Sequence, residues 1–295
     1  MDGILIINKE KGFTSHDVVA KLRGILRQKK IGHTGTLDPN AEGGLPVCLG
    51  KATKVCDLLT DTDKCYETVM RLGIETDTQD LTGTVLARKP VEATEEEIRA
   101  AAESFVGPYA QVPPMYSALK VNGQKLYDLA RAGREVERAP RPVKIYSLQI
   151  LACDLPRVRL RVECSKGTYI RTLCHDIGQK LGCGAAVEEL IRTRVGRFDL
   201  AQARTLGEIE QLRDRGELAG VRIPLETLFE ELPHFRVHPE RDVALQNGNA
   251  LRLSWGEASA SLQGECAVCF SDGRFAAVYE RQGETDLLKV KKMFV

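Results

Sequence analysis

The sequence predicts a mixed α+β protein in which much of the strand pairing is antiparallel. Three observations support this fold class. Strand-like runs alternate with runs of helical periodicity through most of the chain. Two long strand-like runs, RPVKIYSLQILACD and RVRLRVECSKG, follow each other as adjacent antiparallel strands do. From about Leu232 onward, short strand-like runs punctuated by Gly replace this pattern and indicate a small all-β domain.

The first half of the chain alternates strands and helices. GILIINK reads as a buried strand, and Ser15 is a candidate cap for a helix that runs to about Gln28. A Gly-rich loop follows, and then come the alternating run YETVMRLG and its return strand TVLARK. Thr94 and Glu97 form a capping box, which predicts the start of another helix. These elements belong to the larger predicted domain, residues 1–231.

The second half contains the two long strands, three helices and the small domain. A short helix is predicted near residues 126–130, TYIRTLCHDIGQKLG reads as an amphipathic helix, and Thr205 with Glu208 forms a second capping box. Residues 232–295 contain the strand-like runs LRLSW, ECAVCFSDG, RFAAVYERQG and DLLKVKKMFV. An independent core is marginal at this size, so the small domain is expected to dock on the larger one.

The composition is that of a globular protein without a membrane segment. Of 295 residues, 43% are hydrophobic and 28% are charged, and the formal net charge is +1. No apolar stretch approaches the ~20 residues that span a bilayer, and MDGILIINKEKG is not a signal peptide. Nine Cys without framework spacing favour free thiols in a reducing cytoplasm. Cys266 and Cys269 form one C-x-x-C motif, but a structural zinc site needs a second pair and no suitable pair is evident.

A net charge near zero still permits a basic face on the surface. Residues 120–144 contain more basic than acidic side chains. A solvated surface explains such a run as well as a nucleic-acid contact does. The basic side chains are Lys120, Lys125, Arg131, Arg134, Arg138, Arg141 and Lys144, and the acidic ones are Asp128, Glu135 and Glu137.

One loop contains a single Asp among Gly, Thr and Pro. It lies in KKIGHTGTLDPNAEGGLPVCLG, residues 29–50, and no metal-type Cys/His cluster surrounds it. Pro39 pushes Asp38 toward an extended backbone. Glycines at positions 32, 35, 43 and 44 permit unusual backbone angles or the close approach of a ligand. The alternative is that Asp38 only stabilises a turn, as Asp often does.

A second segment places a cation where a helix disfavours one. In SKGTYIRTL, Thr168 is a candidate N-cap, which puts Arg171 in the first helical turn. The helix dipole repels a cation there by ~0.3–1 kcal/mol. A buried carboxylate would compensate, the pair would keep that acid ionised, and an ionised, unhydrated Asp is a nucleophile. Tyr169 adds a flat ring and a hydroxyl; an ordinary surface Arg is the alternative.

Five motifs occur together in an order that carries a family resemblance. They are GHTGTLDP, LPVCLGKATK, KCYETVMRLGIETDTQD, VPPMYSALKVNGQKLYDLARAG and CSKGTYIRTLCHDIG. With them the chain closely resembles the bacterial TruB-type tRNA pseudouridine synthases, from roughly Gly3 to Leu206. The C-terminal segment resembles a short PUA-type RNA-binding domain. The resemblance implies a pseudouridine synthase fold: a central mixed, largely antiparallel sheet flanked by helices, with the cleft across its middle, and a small C-terminal β domain.

The resemblance also implies a role for each matching residue. Asp38 would be the catalytic aspartate, Arg171 its ion-pair partner and Tyr169 the active-site tyrosine. Tyr66 would stack on the flipped uracil, and His33 would push into the RNA loop and help evict the target nucleotide. The other residues implied for substrate binding are Leu190 as an apolar pocket residue, Lys9 and Lys54 as lysines near the RNA, and Tyr116, Ser117 and Lys120 in the segment that borders the RNA.

Without the family, several of these residues have simpler interpretations. Leu190 would be a core residue, His33 a structural histidine, and Lys9 and Lys54 solvated lysines. The sequence also departs from the usual family pattern. Residues 39–44 read PNAEGG, so Glu42 adds a negative charge near a phosphate backbone, and Ile191 stands where a second basic residue is common. Altered loop dynamics or RNA affinity and one missing RNA contact are the expected consequences.

The implied activity is the isomerisation of uridine 55 in the T-arm loop of tRNAs, by base flipping and attack of Asp38, without a guide RNA. The reaction breaks N1–C1′, rotates the uracil and joins C5 to C1′. It needs no redox step and no group donor, so no cofactor and no metal is expected; the chain has no dinucleotide fingerprint and no P-loop. The sequence leaves open whether Asp38 attacks C1′ or adds to C6, and Tyr169 is the candidate base for the later proton removal.

The expected partner is the tRNA T-arm stem-loop. A segment of about residues 107–144 would grip RNA phosphates, which position an RNA without reading its sequence. No obligatory protein partner and no membrane are expected, and the chain is expected to act as a cytoplasmic monomer.

Three alternatives remain at this point. TGTLD resembles the aspartyl-phosphate motif of P-type ATPases and related phosphatases, but in reversed order and without apparent Mg²⁺-binding carboxylate motifs. A non-catalytic RNA chaperone could use the same scaffold, although Asp38, Tyr66, Tyr169 and Arg171 are all present. A guide-RNA-dependent relative of archaeal or eukaryotic type is the third, and YSALKVNGQKLYDLARAG with the short C-terminal domain favours the stand-alone bacterial type.

Overall fold

The computed structural model describes residues 1–121 and 123–295, whose strands form a nine-stranded sheet, a six-stranded sheet and two small two-stranded sheets. The strands are β1 (Gly3–Lys9), β2 (Ile31–His33), β3 (Glu42–Leu49), β4 (Lys64–Leu72), β5 (Ile74–Thr76), β6 (Val85–Arg88), β7 (Gly107–Gln111), β8 (Lys120–Val121), β9 (Gln124–Lys125), β10 (Arg141–Asp154), β11 (Arg157–Cys164), β12 (Ala185–Val195), β13 (Phe198–Asp199), β14 (His234–Val237), β15 (Leu251–Arg252), β16 (Gly256–Ala258), β17 (Glu265–Cys269), β18 (Phe275–Arg281) and β19 (Leu287–Met293). The α-helices are α1 (Ser15–Ile25), α2 (Cys56–Thr60), α3 (Glu95–Glu103), α4 (Leu126–Arg131), α5 (Ile170–Lys180), α6 (Leu206–Asp214) and α7 (Asp242–Gln246). No helix in this part of the chain is both long enough and apolar enough to cross a bilayer.

The nine-stranded sheet is mixed and largely antiparallel, as the resemblance implies. Its main order is β1–β3–β12–β4–β11–β10–β7, with β2 paired to β3 and β13 paired to β12. Strands β3 and β12 run parallel over two residue pairs, Glu42 with Ile191 and Gly43 with Arg192. This short parallel contact brings the loop before β3, which contains Asp38, against the strand that contains Leu190.

The two long strands predicted from the sequence form an antiparallel pair, which confirms that prediction. The register runs from Asp154 opposite Arg157 to Ile145 opposite Cys164, with two irregularities in β10. Along β11 the burial alternates, so that one face lies in the core and the other points outward. That period of two is the reason the sequence pattern identified the strand.

Both predicted capping boxes are present. The Thr94 side chain accepts from the Glu97 N–H while the Glu97 carboxylate accepts from the Thr94 N–H, so two unpaired backbone donors at the start of α3 are satisfied. Thr205 and Glu208 make the same exchange at the start of α6. The two helix starts are therefore fixed locally, by residues three positions apart.

Two other helix starts lie one residue away from the prediction. Thr14, not Ser15, caps α1, because Asp17 stands three residues after Thr14 and completes a capping box. Tyr169, not Thr168, is the N-cap of α5, and the Thr168 hydroxyl donates to Ser165 O instead. Arg171 nevertheless lies in the first turn of α5, as predicted.

The core of the larger domain contains two clusters that pack on the nine-stranded sheet. In one, α3 and α5 pack against β4, β10 and β11, and in the other α1 and α6 pack against β1 and β3. The six-stranded sheet, in the order β15–β19–β18–β17–β14–β16, has a core of its own. A fourth cluster, which includes Phe198, Phe229, Val278 and Phe294, joins the two sheets, so the small β domain docks on the larger one.

Helix α5 packs so closely on the start of β12 that only glycine fits at one position. A Cβ on Gly178 would lie 2.2 Å from Ala185 N and 2.4 Å from Gly184 C. We expect Gly178→Ala to lower the free energy of unfolding by about 1–3 kcal/mol, because backbone atoms must move to relieve the overlap.

Gly24 is the matched control, because it lies in α1 and a Cβ there meets nothing within 4 Å. We expect Gly24→Ala to raise the free energy of unfolding by ~0.5–1 kcal/mol, since alanine favours the helix. Urea titrations of the three proteins measure both changes. Equal effects of the two substitutions would contradict the close packing of α5 on β12.

Candidate active site

A cavity of about 770 Å³ opens between the Asp38 loop, the nine-stranded sheet and the start of α5. Six of the residues predicted from the sequence line it together. They come from five separate segments of the chain, so the fold brings together what the sequence keeps apart. The six residues are Asp38, Tyr66, Ser117, Tyr169, Arg171 and Leu190.

The centre of this cavity is an ion pair between Asp38 and Arg171. Arg171 Nε donates to Asp38 Oδ2 at 2.8 Å; the Arg171 side chain is 5% exposed and that of Asp38 is 37% exposed. The remaining guanidinium nitrogens donate to Thr78 O and Tyr116 O, each at 2.8 Å. The carboxylate predicted to compensate Arg171 in the first turn of α5 is therefore Asp38. All three guanidinium nitrogens have acceptors, which is how a nearly buried cation is tolerated.

The Asp38 loop is held from behind by backbone and side-chain donors. Leu37 N donates to the buried Ser15 hydroxyl at 2.9 Å, and Gly12 N donates to Pro39 O at 2.9 Å. Asn40 Nδ2 donates to Thr82 Oγ1 at 3.1 Å. Bonds on both sides of Asp38 fix the direction in which its carboxylate points. Asn40 is one of the departures from the family pattern, and here it ties the loop to the 78–82 turn.

Lys9 lies behind this loop and not at the cavity surface. Its side chain is 1% exposed, and Nζ donates to Pro39 O at 3.1 Å, Phe13 O at 2.8 Å and Glu10 O at 3.1 Å. Burial lowers the pKa of the ammonium to about 8, although the charge of Asp38 opposes the shift. The structure thus makes Lys9 a support for the Asp38 loop and leaves it without the direct access to RNA that the resemblance implied.

The Tyr169 main chain is clamped by a buried glutamine at the end of β7. Gln111 Nε2 donates to Tyr169 O at 3.0 Å, and Tyr169 N donates to Gln111 Oε1 at 2.8 Å. Burial raises the pKa of the Tyr169 hydroxyl, and the nearby Ser117 hydroxyl opposes that shift. Ser117 is buried beside it.

Three side chains from β4 and β12 form what we call the pocket floor: Tyr66, Leu190 and Arg192. Tyr66 and Arg192 are directly opposite each other in the register of the two strands. Burial raises the pKa of the Tyr66 hydroxyl, and the charge of Arg192 opposes that shift. Burial also lowers the pKa of the Arg192 guanidinium.

The cavity contains far more positive than negative charge. Asp38 is the only carboxylate that lines it among the described residues, whereas five cationic side chains do so. Burial lowers the pKa of one of them, Lys64, to about 8, and its Nζ donates to Thr60 O at 2.7 Å. Such an excess favours a polyanionic ligand. The five cations are Lys64, Arg141, Lys166, Arg171 and Arg192.

Besides Lys9, four of the predicted residues do not line the cavity. Tyr116 contributes its carbonyl to Arg171, and Lys120 lies exposed at the start of β8. Lys54 lies at the contact between the domains, where Nζ donates to Met293 O at 2.8 Å. His33 ends β2 with its ring edge-to-face on His16, at 5.4 Å between centroids, and burial lowers the pKa of its imidazole. Their roles toward RNA stay predictions.

Several site residues were missed by the sequence reasoning. They are Gln111, Lys64 and Arg192, and Gln111, a buried polar residue, had no distinguishing neighbours in the sequence. Lys64 and Arg192 carried one usable signal: each stands two residues from a predicted site residue along a strand, on the same face. Glu42, the other departure from the family pattern, lies 3.8 Å from the Lys11 ammonium.

The C-x-x-C motif does not form part of a metal site in the described residues. Cys266 and Cys269 are both buried in β17, and no group of three or more His, Cys, Asp and Glu side chains is arranged to hold a metal ion in residues 1–121 and 123–295.

Two family models match the chain. The TruB family pseudouridylate synthase (N terminal domain) model matches residues 23–170, and the tRNA pseudouridylate synthase B C-terminal domain model matches residues 171–230. The second match covers α5, β12 and α6, so the six-stranded sheet lies outside both matches.

The similar curated proteins extend over nearly the whole chain. The tRNA pseudouridine synthase B of Lachnoclostridium phytofermentans is 50% identical over 307 residues, covering 100% of both chains. That of Stutzerimonas stutzeri is 46% identical over 283 residues, covering 95% of this chain and 92% of the relative. A solved structure of a Cbf5-Nop10-Gar1 complex matches with a TM-score of 0.73 and 28% identity, covering 99% of this chain and 85% of that chain.

These similarities, together with the fold and the Asp38 cavity, give the protein its class: it is a pseudouridine synthase, and therefore an isomerase. Within that class, the chain belongs to the TruB family. The predicted family and fold are thereby confirmed, including the mixed central sheet and a small C-terminal β domain of the kind expected for a PUA-like unit.

Arg171 should contribute more to the free energy of unfolding than an arginine in an exposed ion pair does. Arg171→Met leaves Asp38, Thr78 O and Tyr116 O without their donor, so we expect the free energy of unfolding to fall by about 2–4 kcal/mol. Arg157 is the control, because it pairs with Glu188 at the surface. Arg157→Met should cost less than ~1 kcal/mol. Equal losses in urea titrations would show that the three bonds of Arg171 do not stabilise the fold.

The lowered pKa of Lys9 predicts how stability depends on pH. Below about pH 8 both folded and unfolded states keep the proton, so the burial penalty is fully present. Between about 8 and the usual value of 10.5 the unfolded state binds more protons, so stability rises with pH. From pH 7 to pH 10 we expect the free energy of unfolding of wild type to rise by on the order of 2 kcal/mol relative to that of Lys9→Met. Parallel stability curves for the two proteins would contradict the assignment.

Proposed function

We propose that the chain converts uridine to pseudouridine at position 55 in the T-arm loop of tRNAs, by base flipping and without a guide RNA. The observation that carries the proposal is the cavity in which one carboxylate, Asp38, is held by a buried guanidinium and surrounded by surplus cations. The tRNA substrate is supported by relatives named tRNA pseudouridine synthase B at 46–50% identity. Position 55 rests on the motif resemblance.

RNA binding would begin at the mouth of the cavity. Arg141 and Lys166 are exposed there and can reach phosphates, whereas Lys64 and Arg192 are buried deeper. The neighbouring basic segment of about residues 107–144 would hold the stem-loop backbone, and residues 232–295 would provide a second, PUA-like contact. Phosphate contacts of this kind position an RNA without reading its sequence, which suits an enzyme that acts on many tRNAs.

The target base must leave its stack to reach Asp38. Extrusion costs a few kcal/mol and is least costly for a loop nucleotide. Stacking on an aromatic ring such as Tyr66 returns ~1–3 kcal/mol, and Leu190 beside it offers an apolar surface for the base. His33 would take the space that the base leaves in the RNA loop. In the protein alone, burial lowers the pKa of its imidazole.

Asp38 is arranged to act as the nucleophile. Arg171 engages Oδ2, and no donor in the described residues bonds to Oδ1, which leaves that oxygen free to attack. The free oxygen fits two routes equally: displacement of uracil from C1′, or addition to C6 of the ring. In either route the Arg171 guanidinium orients the carboxylate through its hydrogen bond to Oδ2.

Tyr169 would act late, when a proton leaves carbon. Its raised pKa keeps the hydroxyl protonated at neutral pH, so removing a proton from C2′ or C5 requires that neighbours favour the phenolate. The Ser117 hydroxyl and the Arg171 charge both do so, whereas Asp38 opposes it. Proton removal would therefore follow the formation of a bond to Asp38, because the carboxylate then no longer carries its charge.

The remaining expectations concern the enzyme as a whole. We propose that residues 1–231 carry catalysis, that a monomer suffices, and that the enzyme works in the cytoplasm without an obligatory protein partner. The solved complex of Cbf5 with Nop10 and Gar1 shows the same fold in an assembly. The guide-dependent mode of action is therefore the alternative that the experiment must separate.

The test is tritium release from an unmodified T-arm stem-loop RNA labelled at uracil C5, with EDTA and no other protein. We expect wild type to release tritium at one mapped uridine, and Asp38→Asn to lose at least 10³-fold in rate, because the neutral amide is not a nucleophile. Asp57→Asn is the control, since Asp57 is exposed on α2; its rate should equal that of wild type.

The outcomes separate the alternatives. Release only after addition of a guide RNA and partner proteins would point to the guide-dependent mode. Tight RNA binding without release by either protein would support the chaperone reading. Release by Asp38→Asn at the wild-type rate would remove Asp38 from the chemistry.

A further inference from the structure

Arg192 is the most deeply buried cation of the cavity and lacks an ion-pair partner. It is 1% exposed, and no carboxylate of residues 1–121 and 123–295 forms a salt bridge with it. Arg171, by contrast, has Asp38. A buried unpaired guanidinium is costly, and it persists only where fixed dipoles replace the missing counter-ion. The acceptors around Arg192 therefore indicate what it does.

Those acceptors lie at both ends of the Asp38 loop. Arg192 Nε donates to Gly44 O at 2.8 Å, after Asp38, while Nη2 approaches Gly35 O at 3.4 Å and Nη1 approaches Thr36 O at 3.5 Å, before it. One rigid planar group thus spans the base of the loop of residues 36–44. A guanidinium can do this because its donors diverge in a fixed fork.

The backbone of Arg192 holds the same loop a second time. Arg192 pairs with Gly43 in the short parallel contact between β3 and β12. A Cβ on Gly43 would lie 2.3 Å from Arg192 O, and its φ of +107° is one that L residues rarely adopt. The close approach exists only because position 43 is glycine. Main chain and side chain of one residue therefore both fix the end of the Asp38 loop.

Arg192 also lies opposite Tyr66, whose ring is proposed to stack on the base. Arg192 and Tyr66 are cross-strand partners of β12 and β4, so their side chains project on one face. The Arg192 charge acts on the Tyr66 hydroxyl. Arg192 therefore contacts the Asp38 loop and also lies opposite Tyr66, so it links the positions of the carboxylate and the ring.

We propose that Arg192 is a positioning residue that fixes the Asp38 loop relative to the Tyr66 ring. The proposal rests on the proposed function, because its purpose is to hold the nucleophile at the correct distance from the stacked uracil. A displacement of about 1 Å in such an arrangement costs on the order of 100-fold in rate. RNA binding, which uses the exposed cations at the mouth, should be unaffected.

The kinetic test compares Arg192→Met and Arg192→Lys with Arg194→Met. Arg194 is the matched control, because it lies on the same strand, forms an ion pair with Glu163 and does not line the cavity. With the C5-tritiated stem-loop, we expect kcat to fall on the order of 100-fold for Arg192→Met and about 10-fold for Arg192→Lys, whose single ammonium cannot span the loop. RNA affinity should change by less than about threefold, and Arg194→Met should match wild type.

A second measurement does not depend on activity. Hydrogen exchange followed by mass spectrometry should show faster exchange of the peptide that covers residues 35–44 in Arg192→Lys, with unchanged exchange of the α5 peptides. Arg192→Lys keeps the charge, and it carries the test if Arg192→Met fails to fold. If wild type released no tritium, the proposed function would be wrong. Hydrogen exchange of residues 35–44 would still show whether Arg192 positions the Asp38 loop.

Three results would overturn the proposal. The first is a kcat for Arg192→Met within about twofold of wild type after correction for the folded fraction. The second is a loss confined to KM, which would make Arg192 an RNA contact. The third is unchanged exchange of residues 35–44 in both variants.

Discussion

Arg171 joins three segments that are far apart in the sequence. Its guanidinium bonds the Asp38 loop, the turn at Thr78 and the segment at Tyr116, and its own backbone opens α5. The helix dipole opposes a cation in that position, so the residue is tolerated because Asp38 and two carbonyls satisfy it. Removing any of these partners leaves one nitrogen of a nearly buried guanidinium without an acceptor. The cleft exists in this shape because one side chain ties its walls together.

Two other buried cations are tolerated in the same way. Lys9, behind the Asp38 loop, and Lys64, in the cavity, are held by backbone carbonyls, and burial lowers the pKa of each to about 8. A nearby carboxylate opposes each shift, Asp38 at Lys9 and Asp63 at Lys64. The Gly-rich Asp38 loop can bring a carbonyl group this close to Lys9 because it has few side chains in the way. The Gly-rich character of the Asp38 loop therefore serves packing as well as access for a ligand.

Local sequence patterns predicted the helices and strands, and the family resemblance predicted the residues of the active site. Capping boxes at Thr94 and Thr205 depend on residues three apart, so the sequence contains all that is needed to find them. A carboxylate partner for Arg171 was expected because a cation in the first helical turn needs one, and the resemblance implied that this partner is Asp38. Gln111 was not expected, because its value lies in meeting the backbone of Tyr169 across 58 positions. The buried place of Lys9 was missed for the same reason, since a strand-end lysine ordinarily points to water.

The site also requires that the whole larger domain fold as a unit. Asp38, Tyr66 and Arg171 reach the cavity only when β12 lies between β3 and β4, and β12 follows all three in the chain. The Asp38 loop then closes against a strand about 150 positions later, through the pairing of Gly43 with Arg192. Contacts of such long range form late because the chain must first give up much of its freedom. A partly folded chain therefore lacks the arranged nucleophile. The buried cations that orient Asp38 are acceptable only in the completed fold, where their carbonyl partners are already in place.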